Sequence, residues 1–268
     1  MTTRICVAGA TGWTGSLVTR RILESSEFAL AGAIARRDAG NDIGVTLGLP
    51  NAGIQIAGTL EEALSTPTDV LIDYTRPDSV KARTLSALDR GVRVIVGTSG
   101  LTAPDFAEIE DRATARGLGV IAAGNFSITA ALAKHFALTA ARYLPSWEII
   151  DYAQANKIDA PSGTAQELAE ALGQAATNEL ALAIEQTHGA REARGASIGG
   201  AQVHSVRLPG YVLAFEALFG LPDERLTIRH DAGSGAEPYV GGTLLAAKRV
   251  MSITGLVRGL DTLLFASE

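Results

Sequence analysis

The chain has 268 residues, 47% of them hydrophobic and only 5% aromatic, with 29 glycines; it suits an alanine- and valine-rich α/β protein of one large or two modest domains, and excludes a small disulfide-stapled scaffold. Acidic residues outnumber basic ones by 29 to 23, for a formal charge of −6 and a pI near 5.3, which argues against nucleic-acid partners and anionic membranes. With no secretory pattern at its start and no apolar run near the ~18 residues of a membrane span, the chain reads as soluble and cytoplasmic.

Residues 3–8 form a β-branched run that predicts a first strand, with the single cysteine, Cys6, inside it as a buried structural thiol. The run ends in Gly9-Ala-Thr-Gly12-Trp-Thr-Gly15, and from Ser16 the spacing is helical. Strand, glycine turn and helix together make a pyrophosphate seat. The backbone must turn sharply, admit a phosphate where a Cβ would stand, and pack helix on strand. Glycines at this spacing arise by chance in glycine-rich chains; their place between a first strand and a helix makes Gly9, Thr11, Gly12, Trp13, Thr14 and Gly15 candidate cofactor contacts. A second strand, 28–35, ends in Arg36-Arg37-Asp38, where a dinucleotide fold reads the adenosine ribose. Arginines there suit the 2′-phosphate of NADPH, and Asp38 keeps NADH as the alternative.

A glycine-rich loop (40–58) and a short helix near Glu61 lead to a strand at 69–74 and a helix from Thr75 to about Arg90. Strands at 92–97 and 119–124 follow. Strands alternating with helices predict a doubly wound, Rossmann-type parallel sheet, in which ligands lie beyond the carboxyl ends of the strands. Tyr74, Thr75, Gly97, Thr98, Ser99, Asn125 and Phe126 fall at those ends and are further cofactor candidates, although each alone is an ordinary turn.

A long amphipathic helix at 127–143 marks a change of character. Strands at 147–152, 197–207, 210–220 and 225–231 have few helices between them, which predicts a second, α+β domain with a mainly antiparallel sheet. Such open sheets commonly pair between subunits, so an oligomer is expected. The expected division is 1–126 for dinucleotide binding, completed by 239–268 through a helix at 241–251, and 127–238 for substrate binding and oligomerisation. Within the latter, Lys157-Ile-Asp-Ala-Pro-Ser-Gly-Thr-Ala165 precedes a helical run. Pro161, Gly163 and a capping Ser162 or Thr164 build a helix N-terminus with a lysine beside it, a seat for a carboxylate or phosphate.

The glycine loop, Asp73-Tyr-Thr-Arg-Pro77, Gly97-Thr-Ser-Gly100, Ala123-Gly-Asn-Phe-Ser127, the Lys157–Ala165 stretch, His204-Ser-Val-Arg207 and Thr227-Ile-Arg-His-Asp231 occur in this order. Together they resemble the dihydrodipicolinate reductase (4-hydroxy-tetrahydrodipicolinate reductase) family of lysine biosynthesis over nearly the whole chain. The resemblance implies NAD(P)H-dependent reduction of a cyclic imine dicarboxylate, a two-domain fold and a homotetramer built on the second-domain sheets. It places Lys157, Ser162, Gly163 and Thr164 around the substrate.

The family pattern has two adjacent histidines before the lysine, the first a proton donor and the second a substrate contact. Here these positions are Ala153 and Gln154, which leaves Gln154 as a candidate substrate contact and removes the acid. Trp13-Thr14 likewise replaces the family's usual Arg-Met. A positioned acid contributes roughly 10²- to 10⁴-fold in rate. An ordinary lysine titrates near pH ~10.4, and a bound carboxylate pushes it higher, so Lys157 reads as an anion clamp in the catalytic site rather than as the donor. The proton is expected from water, from a substrate bound as an iminium, or from Tyr152, which strand alternation points away from its neighbours. His135, His188, His204 and His230 read as structural, and no metal-ligand spacing is present.

The leading expectation is an NADPH-dependent reductase acting on a carboxylate-bearing imine, with a shifted substrate. The alternatives are the lysine-pathway reaction itself and a non-catalytic NADPH sensor. A short-chain dehydrogenase would need Tyr-x-x-x-Lys, and Tyr152 and Lys157 are one residue too far apart.

Overall fold

The computed structural model describes residues 2–265; the expected first domain also includes residue 1 and residues 266–268, which lie outside the described residues. In chain order the elements are β1 (Thr3–Ala8), α1 (Trp13–Leu23), β2 (Phe28–Ile34), α2 (Ile43–Thr46), β3 (Ile56–Ala57), α3 (Leu60–Ala63), β4 (Val70–Asp73), α4 (Pro77–Asp89), β5 (Arg93–Val96), α5 (Ala103–Arg116) and β6 (Gly119–Ala122). They continue with α6 (Ile128–Ala141), β7 (Ser146–Ala153), α7 (Gly163–Ala175), β8 (Ala196–Ile198), β9 (Ala201–Arg207), β10 (Leu213–Leu221), β11 (Glu224–Ala232), α8 (Glu237–Arg249), β12 (Gly255–Arg258) and α9 (Leu260–Phe265). The chain divides into two compact units, one up to Ile128 together with the segment from Ala236, the other Thr129–Gly235.

In the first unit seven strands form a sheet in the order β12-β6-β5-β4-β1-β2-β3, every pair parallel. All four residues of β4 and of β6 are buried, as are the last four of β1, because helices cover both faces of such a sheet. The strand order reverses between β1 and β4, and this switch point is where the carboxyl ends diverge to admit a ligand. Helix α5 is framed by a capping box between Thr102 and Asp105 and by Gly117 at φ 64°, a left-handed stop that suits glycine. β12 lies beyond the last helix the sequence predicted and pairs in register with β6; four residues starting on a glycine carry too little periodicity to be read as a strand.

The second unit holds the sheet β11-β10-β7-β9-β8. The expectation of a mainly antiparallel sheet needs refinement: β7 and β9 pair in parallel, the other neighbours antiparallel. Helix α7 lies between these two strands in sequence, and a parallel pair requires such a crossover. The run 197–207 is also two strands, β8 and β9, joined by Gly199 and Gly200 at φ 55° and 80°. Residues of α6 and α7 pack on one face of this sheet around Trp147, Ile149, Phe215 and Phe219. Burial along β7 alternates strictly, with Trp147, Ile149, Asp151 and Ala153 inward and Glu148, Ile150 and Tyr152 on the opposite face.

Candidate active site

At the switch point of the first unit, the N–H groups of Gly9 and Ala10 bond to the Ile34 carbonyl (2.9 and 3.1 Å), and that of Gly12 closes on the Gly9 carbonyl at 2.8 Å. A Cβ on Gly15 would lie 2.1 Å from the Gly9 oxygen, and one on Gly9, at φ 81°, would lie 2.4 Å from the Tyr74 oxygen. The loop therefore tolerates only glycine at these two places. Gly12 caps α1 without a side-chain bond, so the first-turn N–H groups of Trp13, Thr14 and Gly15 are left to meet an anion. A glycine cradle on an uncapped eleven-residue helix fits a dinucleotide pyrophosphate. The Trp13 side chain is 60% exposed and meets the edge of Tyr239 at 5.8 Å between ring centres.

Beside this loop, the end of β4 is ordered by a carboxylate that sequence reasoning did not single out. Asp73 is fully buried and accepts bonds from the Thr75 N–H (2.9 Å), the Thr75 hydroxyl (2.6 Å), the Thr98 hydroxyl (3.1 Å) and Arg83 on α4 (2.8 Å). Thr75 and Thr98 thus fix the strand ends of β4 and β5 to each other. Tyr74 serves the loop from inside. Its ring occupies the space over Gly97, where a Cβ would fall 2.2 Å from it, and it meets Phe126 edge-on at 6.2 Å. Thr243 donates to the Tyr239 carbonyl (2.7 Å), so the Tyr74 hydroxyl is the donor in its 2.5 Å bond to Thr243. Burial pushes the Tyr74 hydroxyl well above its usual range. With Phe126 also buried, these two expected cofactor residues contribute packing and backbone rather than a polar side chain. Ser99 is exposed, and the Asn125 side chain accepts from the Ser127 N–H at 2.8 Å. Arg36 and Arg37 are exposed just past β2, and neither forms an ion pair among the described residues.

In the second unit, Ser162 caps α7 by accepting from the Ala165 N–H at 3.3 Å. Both Ser162 donors go to Asp151, the N–H to Oδ2 at 2.8 Å and the hydroxyl to Oδ1 at 2.6 Å. Ser162 is 3% exposed, so in this arrangement it holds the turn rather than offering a donor outward. Gly163 is exposed with open space where a Cβ would be, and Thr164 is the next residue of the first turn. Lys157 pairs with Asp159 at 2.7 Å, and the loop crosses a cis Ala160–Pro161 bond. Gln154 is exposed, and its carbonyl accepts from the Lys157 N–H at 3.1 Å. Ala153 is fully buried. Tyr152 lies on the opposite face, stacked on Tyr211 at 4.9 Å and beneath the Arg229 guanidinium; burial, then the nearby Glu216, raises its pKa.

The histidines are held in other ways. His204 shares a 2.8 Å bond with Glu148, and His230 one of 3.1 Å with Thr129, burial lowering the His230 pKa. Among the described residues no cluster of His, Cys, Asp and Glu is placed to hold a metal ion, and no helix is long and apolar enough to cross a membrane.

A glycine cradle at the switch point of a parallel sheet, joined to a second unit that carries a lysine beside a helix N-terminus, defines a nicotinamide-nucleotide-dependent oxidoreductase. Comparison with known proteins makes the class specific. Residues 3–126 match the family model for the dihydrodipicolinate reductase N-terminus and residues 127–264 that for its C-terminus. The chain is 41% identical over 266 residues to 4-hydroxy-tetrahydrodipicolinate reductase of Moorella thermoacetica, covering 98% of each protein. It is 39% identical to the enzyme of the same name from Carboxydothermus hydrogenoformans, covering 98% of this chain and 99% of that one. It superposes on the dipicolinate-bound dihydrodipicolinate reductase of Paenisporosarcina sp. TG-14 with a TM-score of 0.83 at 31% identity, covering 98% and 99% of the two chains. The chain belongs to the dihydrodipicolinate reductase family, NAD(P)H-dependent oxidoreductases that act on a C=N bond.

Proposed function

We propose that the protein uses NADPH to reduce the C=N bond of a carboxylate-bearing cyclic imine, with Lys157 and the first turn of α7 as the seat for a substrate carboxylate. The observation that carries this reading is the loop from Lys157 to Gly163. It presents an ammonium and an exposed helix N-terminus, and its closure is fixed from beneath by a buried carboxylate. NADPH, when bound, supplies the hydride. The glycine loop and the N-terminus of α1 would hold the pyrophosphate, and Arg36 and Arg37, which pair with no carboxylate among the described residues, would hold the 2′-phosphate. Asp73 orders Thr75 and Thr98 at the ends of the neighbouring strands.

The proton is the unusual part. Position 153 is an alanine, and Tyr152 faces the other side of the sheet with its pKa raised. The chain's role is then to orient, while the proton arrives with a substrate bound as the iminium or from solvent. This favours an imine already protonated at neutral pH, and hence a substrate shifted from that of the family. A second reading, 4-hydroxy-tetrahydrodipicolinate itself, is favoured by the names of relatives at about 40% identity along the whole chain.

The test is NADPH oxidation with enzymatically generated 4-hydroxy-tetrahydrodipicolinate and, separately, simple cyclic imino acids. Lys157→Ala removes one charge-assisted hydrogen bond and is expected to raise KM for the imine about 10- to 100-fold. Fast turnover of the lysine precursor establishes the second reading. Activity confined to another imino acid establishes the shift, and a Lys157→Ala variant indistinguishable from the parent on either substrate refutes the seat.

A further inference from the structure

Asp151 and Arg207 stand outside the residues assigned to substrate above, yet both are heavily bonded through the Asp151 carboxylate and the two terminal Arg207 nitrogens, while Arg207 Nε is buried without a partner among the described residues. Asp151 is fully buried at the end of β7 and accepts from the Ser162 N–H (2.8 Å), the Ser162 hydroxyl (2.6 Å), the Ser205 hydroxyl (3.1 Å) and Arg207 Nη2 (2.7 Å). The same Arg207 nitrogen donates to the Asp159 carbonyl at 2.8 Å, while Nη1 donates to the carbonyls of Val206 (3.0 Å) and Asp151 (3.3 Å). The Asp159 carboxylate in turn holds Lys157 at 2.7 Å. One continuous path therefore runs from Lys157 through Asp159, Arg207 and Asp151 to Ser162, the cap of α7. It crosses a loop whose Ile158 side chain is wholly exposed.

A buried ion pair is a poor way to add stability, since apolar residues of the same shape avoid the cost of desolvation. What a guanidinium and a carboxylate supply is direction. Their planar, charge-assisted bonds fix angles as well as distances. Here the directions fixed are those of the two parts of the anion seat.

We propose that Asp151 and Arg207 are positioning residues that hold Lys157 and the N-terminus of α7 at a set separation, so that carboxylate affinity depends on them although neither touches the ligand. The proposal rests on the reading of Lys157 and α7 as the seat.

The experiment is calorimetric binding of dipicolinate and of picolinate to NADPH-loaded protein, with Lys157→Ala, Arg207→Gln and the double variant. If Arg207 acts through Lys157, Arg207→Gln weakens dipicolinate binding roughly tenfold in the parent but only about twofold once Lys157 is gone. Picolinate, which carries the one carboxylate the seat takes, is expected to weaken alongside dipicolinate, while NADPH affinity changes by about twofold or less. A merely structural role lowers the folded fraction and weakens every ligand alike. Should Arg207→Gln fail to fold, Arg207→Lys keeps the charge without the planar fork, and Ser205→Ala removes only the longest of the four bonds to Asp151. Arg207→Lys is then expected to weaken dipicolinate severalfold, and Ser205→Ala to leave it unchanged. Equal losses from Arg207→Gln, or from Arg207→Lys, with and without Lys157 overturn the positioning role and leave the seat standing. Parent protein that binds dipicolinate no better than Lys157→Ala overturns the seat, and the positioning role with it.

Discussion

Asp73 and Asp151 do the same work in the two units. Each is a fully buried carboxylate in the last residues of a strand, and each is met by an arginine and two hydroxyls, one from the loop after its own strand and one from the neighbouring strand or its end. An ionisable residue inside an apolar run signals a partner, and Val-Leu-Ile-Asp and Glu-Ile-Ile-Asp carry that signal in the sequence. Arg83 and Arg207 could not be matched to them, because nothing local links residues 10 and 56 positions apart. Position 153 is on the same face as Asp151 and fully buried, so a missing acid can be restored there only against packing. Ala153→His is expected to cost about 1–3 kcal/mol of stability by overpacking. On 4-hydroxy-tetrahydrodipicolinate it is also expected to raise kcat, up to roughly 10²-fold, the lower part of the range for a positioned acid. An imidazole donates only while protonated, so the gain is present at low pH and fades as pH rises through a value near ~6.5 for an unperturbed histidine. The checks are the melting temperature and the pH–rate profile; a profile that keeps the parent's shape means the proton does not come from position 153.

Among the elements, one that pH should affect is the loop that leads from the arginine pair to β3. Asp42 caps α2 by accepting from the Val45 N–H at 3.0 Å, and accepts also from Ala52 (3.0 Å) and Ile54 (3.1 Å). These backbone bonds, that of Ala52 first, hold the Asp42 carboxyl below its usual range. A depressed carboxylate contributes order that is complete above its unfolded pKa of about 3.9 and is lost as pH falls through the lower folded value. Hydrogen exchange at residues 45, 52 and 54 is expected to be slow at pH 6 and to lose protection selectively on acidification; Asp42→Asn should show that loss already at pH 6, and equal protection in the two proteins would exclude the mechanism. The same loop marks where sequence reading stops. The central strands β1, β4, β5 and β6 were legible because strands covered on both faces read as unbroken apolar runs between glycines and polar turns. β3 and β12, with two and four residues, have no such run. The parallel pairing of β7 with β9 did have a signal, since the helix predicted after Lys157 lies between two strands, and a helical crossover joins parallel neighbours. The Ser162 cap was legible from local chemistry alone, whereas the Tyr74–Thr243 bond, spanning 169 positions, required the fold.

For the whole molecule, the second unit's sheet carries the expectation of a homotetramer. Its inward face is closed by α6 and α7. The register puts Ile150, Tyr152, Val206 and Leu218 on the opposite face, all half-buried, beside two charge clusters, Glu148 with Arg194 and His204, and Glu216 with Arg229 and Asp231. Ion pairs in water add about 0–1 kcal/mol each, so their concentration on one sheet face is not explained by stability of the single chain. Between two copies the same charges would be screened less, and the three aliphatic side chains and the Tyr152 ring would leave water, each methylene contributing about 0.8 kcal/mol. Leu218 sits on the central part of this face, paired with Glu148 on β7 and Thr227 on β11. Leu218→Arg places an unpaired charge there and is expected to reduce the mass measured by light scattering from that of a tetramer, with the melting temperature falling and becoming dependent on concentration. High salt is expected to shift the parent in the same direction, because part of the contact is ionic. A parent protein that is monomeric at all concentrations removes the homotetramer, and a tetramer indifferent to Leu218→Arg moves the contact to another surface. If the tetramer does depend on this face, Tyr152 is buried in it, which leaves the side of β7 carrying Asp151 and Ala153 as the one that serves the anion seat.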